Sequence, residues 1–530
     1  MNEHSSDAIP PSTRLVPPPG WLRDGVAPQQ GCGAAYLLLV TLLALMLRLW
    51  RLDAMSLWID EVFTWDLVVP GRGLRFGEQI LAAYQGPLYH AAVWPLLRLH
   101  ESPFMLRLPA ALAGVLAVPL LGLVAARLWD RPTGRLAALF LALSPFAVWY
   151  AQEARGYSFL ILFTVAAGWV LLDALARGVT TGKALALALL CFGGLTSNFA
   201  FLFLLAAFAL TVLVSVRTRR RRDWLLWCLA LGGGVLLALP WLLLAAGIWE
   251  VGRVLPGAAT GEHLRGETTF SVWALPFTGY SLFYGFSLGP PLADLHGPGR
   301  LDAVRAHLPI LVLGALVAIV GLVPGLLRLD RRRWPLVLWI VVPLAAVVLL
   351  AMRNVKPFNV RYVATVLPWL LALAAAGVCR TGRRIRFLLG GALGLLMVFS
   401  LAGYYFDDRY AKEDVRGAVA AITEAGGPSR PLLATSVAPV VRHYWRGAGE
   451  VIGLYGEPLV TTAADAADLV RRRTAGHEEI WVIWVRSWDQ DSYQLLPGAL
   501  AATGSLQRAY SGPQIAVDLW RRRPPEEGTP

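Results

Sequence analysis

The sequence predicts a polytopic α-helical membrane protein that carries a small α/β domain outside the membrane. Three observations lead there. Of 530 residues, 56% are hydrophobic and only 16% are charged, with a mean hydropathy of +0.54, far from the usage of soluble domains. The apolar residues fall into runs of membrane-spanning length, separated by short arginine clusters. From about Asp407 onward those runs stop, and helix-like and strand-like stretches alternate.

The formal net charge of +13 and pI near 9.9 would suit a nucleic-acid partner if the basic residues shared one face. They lie instead between apolar runs, the positive-inside pattern, so anionic lipid headgroups are the expected partner. Cys32, Cys191, Cys228 and Cys379 lie in or beside the runs and form no CxxC or Cys/His spacing, so no disulfide framework or zinc motif follows.

Residues 1–32 are rich in Pro, Ser and charge and lack an apolar core with a cleavage site, so they read as a disordered cytoplasmic tail. The membrane domain is expected over 33–405. A helix needs about 20 apolar residues to cross a core of about 30 Å. That length gives about eleven spans, near 33–52, 104–128, 134–151, 157–176, 183–196, 198–216, 224–247, 307–327, 334–352, 360–379 and 385–405.

Two stretches are ambiguous, and charge decides both. Pro87 to Leu97 is short and contains Pro95; if it crossed, Arg127, Arg131 and Arg135 would face outward, so it is laid along the outer interface. Lys183 to Val216 as one helix would run about 50 Å, too long for one crossing. A tight hairpin is expected there, broken by Gly193-Gly194 and Thr196-Ser197-Asn198. With these choices the basic clusters all face the cytoplasm. The loops 53–103 and 248–306, the turns Gln152 to Tyr157 and Arg353 to Asn359, and the domain 406–530 then share the outer side. In that last domain Pro431–Thr435, Ile480–Val485 and Gln514–Trp520 read as strands. The sequence contains no solenoid-length repeat, glycine fingerprint, P-loop or HExxH.

The candidate chemistry starts at Ser56-Leu57-Trp58-Ile59-Asp60-Glu61-Val62-Phe63, where two acids follow the first span among aromatic residues. A carboxylate there can act as a general base toward a lipid-borne substrate, or the pair can simply cap a short interfacial helix. The outer turns add Glu153, Arg155 and Tyr157, and then Arg353, Lys356, Arg361 and Tyr362. Arg grips phosphate bidentately and Lys as a point charge, so a lipid phosphate is the natural anion at that depth. Snorkelling to the interface is the structural alternative for Arg155 and Arg361. Interfacial placement likewise accounts for Trp58, Trp65, Trp94, Trp149 and Trp249 without any sugar contact. Glu262, His263, Glu267, Asp294 and His296 show no ligand spacing and read as solvated loop residues.

In combination these stretches resemble the GT-C type, polyprenyl-phosphate-sugar-dependent membrane glycosyltransferases, specifically the group of protein O-mannosyltransferases and lipid A aminoarabinose transferases. The resemblance rests on Asp60-Glu61, on Gln85-Gly86-Pro87-Leu88-Tyr89, and on Leu106 to Gly114. Ser144 to Tyr157 and Arg361-Tyr362 complete it. It covers most of the membrane portion, and the α/β tail looks like that of the aminoarabinose branch. One departure stands out: Gln85-Gly86 occupy the place of the family's His-Pro before Pro87.

The resemblance implies inverting transfer of a sugar from a polyprenyl-phosphate donor to an extracytoplasmic hydroxyl or amine on a lipid, glycan or protein. Asp60 matches the family's catalytic acid and Glu61 its neighbour, with Glu61 orienting acceptor or loop and its replacement milder. Arg361 and Tyr362 match positions near the donor phosphate, with Lys356, Arg155, Tyr157 and Glu153 nearby. It implies a bacterial inner membrane location, with the N-terminus cytoplasmic. No cofactor is predicted; a divalent metal is left open without ligand spacing to support it. The rival readings are a lipid-phosphate transporter or flippase and a non-enzymatic envelope scaffold. Transporters place ionisable groups near the midplane, where these spans have almost none.

Overall fold

The computed structural model describes residues 33–69, 86–216, 220–248, 270–296, 299–327, 329–330, 333–454, 457–487, 491 and 493–523. The tail 1–32, Gln85, Trp249, Glu262, His263 and Glu267 lie outside the described residues.

The membrane portion is a succession of helices, most of them apolar. They are α1 (Ala34–Leu49), α2 (Ile59–Val68), α3 (Pro87–Leu99), α4 (Pro103–Leu128), α5 (Arg131–Leu143), α6 (Pro145–Ala151) and α7 (Tyr157–Arg177). Then come α8 (Thr181–Ser197), α9 (Phe201–Ser215), α10 (Arg221–Ile248), α11 (Ala274–Tyr284), α12 (Leu292–His296) and α13 (Arg300–Ala306). The last are α14 (Leu308–Leu326), α15 (Pro335–Met352), a 3₁₀ segment (Val360–Val366) leading into α16 (Leu367–Cys379), and α17 (Arg383–Phe406). Among the described residues seven helices are long and apolar enough to cross a membrane, or eight if α5 and α6, bent by 53°, form one span. Helices α1, α8 and α9 are shorter and apolar.

Proline explains the bend. Pro145 has no N–H, so the Leu141 carbonyl loses its helical partner where α5 gives way to α6. Arg48, fully buried in α1, supplies donors from another helix: Nη2 donates to Leu141 O at 3.0 Å and Nη1 to Ala142 O at 3.2 Å. Ser144 Oγ accepts from the Ala147 N–H at 3.2 Å and starts α6.

The expected hairpin turns at the Thr196-Ser197-Asn198 end of its break and not at the Gly193-Gly194 end. Helix α8 runs through both glycines to Ser197, and the chain turns at Asn198, whose Oδ1 accepts from the Ala200 N–H at 3.0 Å. The glycines serve packing instead: a Cβ on Gly193 would meet the Phe163 ring, and one on Gly194 the Phe201 ring.

The C-terminal region folds α18 (Val415–Glu424), β1 (Leu432–Ala434), α19 (Ala438–Tyr444), β2 (Val451–Gly453), α20 (Ala463–Thr474), β3 (Glu479–Val485), α21 (Leu496–Thr503), β4 (Gly504–Gly512) and β5 (Ile515–Arg522). The sheet order is β2-β1-β3-β5-β4; β1 runs parallel to β2 and β3, and β5 antiparallel to β3 and β4. Strands β1, β3 and β5 coincide with the three expected runs. Strands β2 and β4 do not, since β2 is three residues long and β4 is mostly exposed and polar.

One hydrophobic cluster fixes where this region sits. Leu57, Val62, Tyr89, Leu106 and Ala154 pack in the same buried group as Val415, Val437, Val441 and Trp481. The sheet region is therefore docked on the first loop through a shared core, and its approach walls the candidate site.

Candidate active site

Helix α2 separates the two acids. Adjacent helical residues diverge by about 100°, so only one can face a given side. Asp60 faces a cavity of about 440 Å³, and Glu61 turns inward and is fully buried.

Glu61 is the fastening of the site. Arg107, itself buried in α4, donates from Nε to Oε1 and from Nη2 to Oε2, both at 2.7 Å. The same guanidinium donates to the carbonyls of Leu52, Met55 and Ser56 at 2.8, 3.1 and 3.1 Å. Glu61 Oε1 also accepts from the Ala154 N–H at 2.9 Å, and Oε2 from the Trp58 N–H at 3.3 Å. One ion pair thus ties the loop 52–58 to the turn 152–156. Burial works to raise the Glu61 carboxyl, but Arg107 and then Lys412 outweigh it and bring it to about 2.

The turn is held from behind as well. Gln152 Nε2 donates to the Arg48 and Trp50 carbonyls at 3.1 and 2.7 Å, closing the end of α1, and its Oε1 accepts from the Tyr404 hydroxyl at 2.9 Å. Gly156 is needed because a Cβ there would strike the Ser197 carbonyl. Gly86 has the same constraint against Ser197 and a φ of +115°, which favours glycine. That accounts physically for the glycine before Pro87, where the resembling family has proline.

Asp60 sits between two cations. Its Oδ1 is 2.9 Å from Arg155 Nη2, and its Oδ2 is 3.2 Å from Arg361 Nη1. Burial pushes its carboxyl up, but Arg155 and Arg361 hold it below the ordinary value. Arg361 lies near three rings, 5.6 Å from Trp58, 5.9 Å from Tyr157 and 5.5 Å from Tyr362. Glu153 also lines the cavity. Its Oε1 has no hydrogen-bond partner among the described residues, and burial raises its carboxyl above the ordinary range.

The structure therefore brings together Asp60, Glu153, Arg155, Tyr157, Arg361 and Tyr362. Lys356 does not line the cavity, and Tyr362 stands behind Arg361 against Phe199. Of the tryptophans, Trp58 and Trp149 line the cavity, while Trp65 packs on His443 and Trp94 lies under Arg98. His296 stands at the cavity rim on α12 and is exposed, as is Asp294. Among the described residues no group of three or more His, Cys, Asp or Glu is placed to hold a metal ion.

Sequence reasoning missed the wall that the C-terminal region builds. Arg409, Tyr410, Lys412, Glu413, Arg486 and Gln514 line the cavity from that side. Arg486 lies just past β3 with φ 41°, a strained conformation for a non-glycine residue costing about 1–3 kcal/mol. It pairs with Glu413 and reaches to 5.6 Å from the Trp58 ring. Nothing in the sequence places residues so far apart beside Asp60. Arg107 did leave a signal, a lone charge at the start of an apolar run. The opposite wall is apolar: Ala274, Phe277 and Phe286, with Leu292, Ala293 and Phe358.

A helical membrane bundle with a docked α/β region thus encloses a carboxylate held by arginines in the cavity between them. Residues 85–244 match the family model described as dolichyl-phosphate-mannose-protein mannosyltransferase. The fold is similar to that of ArnT from Cupriavidus metallidurans in the apo state, with TM-score 0.54 and 14% identity over 92% of this chain and 98% of that one. ArnT bound to undecaprenyl phosphate gives TM-score 0.51 at 13% identity, with the same coverage. A search of the curated proteins found no match. The resemblance read from the motifs, to GT-C polyprenyl-phosphate-sugar-dependent glycosyltransferases, is thus borne out by the family match and the fold together.

Proposed function

We propose that this protein moves a sugar from a polyprenyl-phosphate donor to an acceptor hydroxyl or amine, with inversion, in the cavity at Asp60. The observation that carries the proposal is a carboxylate and several cations facing one cavity with an apolar wall. Such a cavity suits a substrate with a charged head and a greasy tail. In the reaction, Asp60 takes the acceptor proton as the acceptor oxygen or nitrogen bonds to the anomeric carbon. The bond from that carbon to the phosphate oxygen breaks, and its electron pair leaves on the polyprenyl phosphate. The phosphate needs no proton, because Arg361 and its neighbours take up the charge.

Asp60 as it stands is a weak base, since two guanidiniums stabilise its charge. A phosphate that draws Arg361 toward itself removes one of them, and the basicity of Asp60 rises when donor is present. Glu153 supports a second reading as the base, because its Oε1 is unpartnered among the described residues and its carboxyl is raised.

The proposal includes eleven crossings, adding α1, α8 and α9 to the longer helices, with the cavity and the C-terminal region on the extracytoplasmic side of a bacterial inner membrane. It also includes turnover without a divalent metal, since the cations carry the phosphate charge. A reconstituted assay with a polyprenyl-phosphate sugar tests these points. Asp60→Asn is expected to cut turnover by about 10²–10⁴ while donor still binds, and turnover is expected to survive EDTA. Near-normal turnover in Asp60→Asn with loss in Glu153→Gln would move the base to Glu153. Lipid transport without glycosyl transfer would favour the flippase, and neither activity would favour the scaffold.

A further inference from the structure

Lys412 is a buried cation without a hydrogen-bond partner among the described residues. Its side chain is 6% exposed and lines the cavity. The nearest carboxylate oxygens are Glu61 Oε2 at 3.7 Å and Glu153 Oε2 at 3.9 Å, both beyond hydrogen-bond length. Glu61 is already engaged in two short bonds from Arg107, so it has little left to offer an ammonium. An ammonium flanked by two carboxylates but hydrogen-bonded to neither keeps its three donors for a further acceptor.

Its surroundings repeat the point. Lys412 Nζ is 5.9 Å from the ring of Trp58 and 5.9 Å from that of Trp149. Arg361 and Arg486 each come within 5.6 Å of the same Trp58 ring. Three cations thus stand round one indole, Arg361 beside Asp60, Arg486 beside Glu413 and Lys412 beside Glu61 and Glu153, and an anion with more than one negative charge entering the cavity can engage all three. A lipid phosphate fits that description, since it is a singly charged diester while it carries the sugar and becomes a monoester with a second ionisable oxygen as the sugar leaves.

We infer that the C-terminal region supplies part of the phosphate site: Lys412, with Arg361 and Arg486 around Trp58, binds the phosphate of the lipid-linked donor and of its product. This rests on the donor reading above. Lys412 acts as a point charge where Arg361 offers a planar fork, so the two are not interchangeable. The region beyond α17 is then a wall of the binding site as well as a support for the first loop.

The test is binding of undecaprenyl phosphate to the purified full-length protein in nanodiscs, with undecaprenol and inorganic phosphate as parallel probes. Wild type is expected to prefer undecaprenyl phosphate to undecaprenol. Lys412→Met is expected to weaken undecaprenyl phosphate binding about ten-fold and leave undecaprenol unchanged. Lys412→Arg should recover part of the loss and covers the case in which the Met variant fails to fold. Arg471→Gln, on the exposed face of α20 and paired with Asp468, should match wild type. Lys412→Met binding undecaprenyl phosphate like wild type, or losing undecaprenol by the same factor, overturns the inference. Lys412-dependent binding of inorganic phosphate alone overturns its lipid part. Wild type that fails to bind undecaprenyl phosphate at all is a different result and removes the donor reading itself.

Discussion

Replacing Glu61 and replacing Asp60 are expected to fail in different ways, because one carboxylate is packed against Arg107 and the other faces the cavity. Glu61→Gln leaves a buried guanidinium without its counter-charge, a loss of about 3–5 kcal/mol. It should appear as a large drop in thermal stability and in recovery of folded protein, a separate readout from the milder loss of turnover expected from the sequence. Asp60→Asn should fold and fail in turnover. The acids also set the pH response. The Glu61 carboxyl, brought to about 2 from an ordinary 4.5, contributes stability that is present above about pH 4.5 and lost as pH falls toward 2. Glu153 has the opposite sign: its raised carboxyl costs stability once pH rises through its folded pKa, so Glu153→Gln should raise the melting temperature at neutral pH and do little in acid. A melting curve taken across pH on both variants checks the two signs together.

At the scale of elements, Arg48 is the side chain on which the α1 contact with the α5 to α6 break depends. Arg48→Met keeps the bulk and removes the donors to Leu141 and Ala142, at about 1–3 kcal/mol for each buried carbonyl left unsatisfied. Thermal unfolding in detergent should register that loss, and an unchanged midpoint would mean that the break closes by other means. Much at this scale was legible in the sequence. Among the described residues, apolar length and arginine clusters located every helix long and apolar enough to cross a membrane, and the β-prone runs located β1, β3 and β5. What stayed hidden depends on neighbours. Gly193 and Gly194 read as part of the break that ends at Asn198, yet Phe163 and Phe201 need their missing side chains inside a helix that runs on to Ser197. Strand β4 carries polar residues at an exposed edge and shows its pairing only beside β5. Asp60 and Arg361 were legible because a charge beside an apolar run is conspicuous; Lys412 and Arg486 were not, because they lie in ordinary polar sequence.

For the whole molecule, the orientation proposed above is open to a direct check. With the four native cysteines replaced, Ser511→Cys on the exposed edge strand should react with a membrane-impermeant maleimide in intact cells. Protection until the membrane is permeabilised would invert the assignment. The docking of the sheet region on the first loop has a further bearing, on timing. Ser56 Oγ donates to Asp414 at 2.9 Å, and the Leu57 N–H donates to the Tyr444 hydroxyl at 2.8 Å, across separations of 358 and 387 residues. A ribosome working at about 5–20 residues per second needs roughly 20–70 s to cover such a stretch. Throughout that interval the segment bearing Asp60 has already emerged and can be fastened by Arg107, while Asp414 and Tyr444 are unmade. A nascent chain therefore completes the wall around Asp60 only after Lys412, Arg486 and Gln514 have been made.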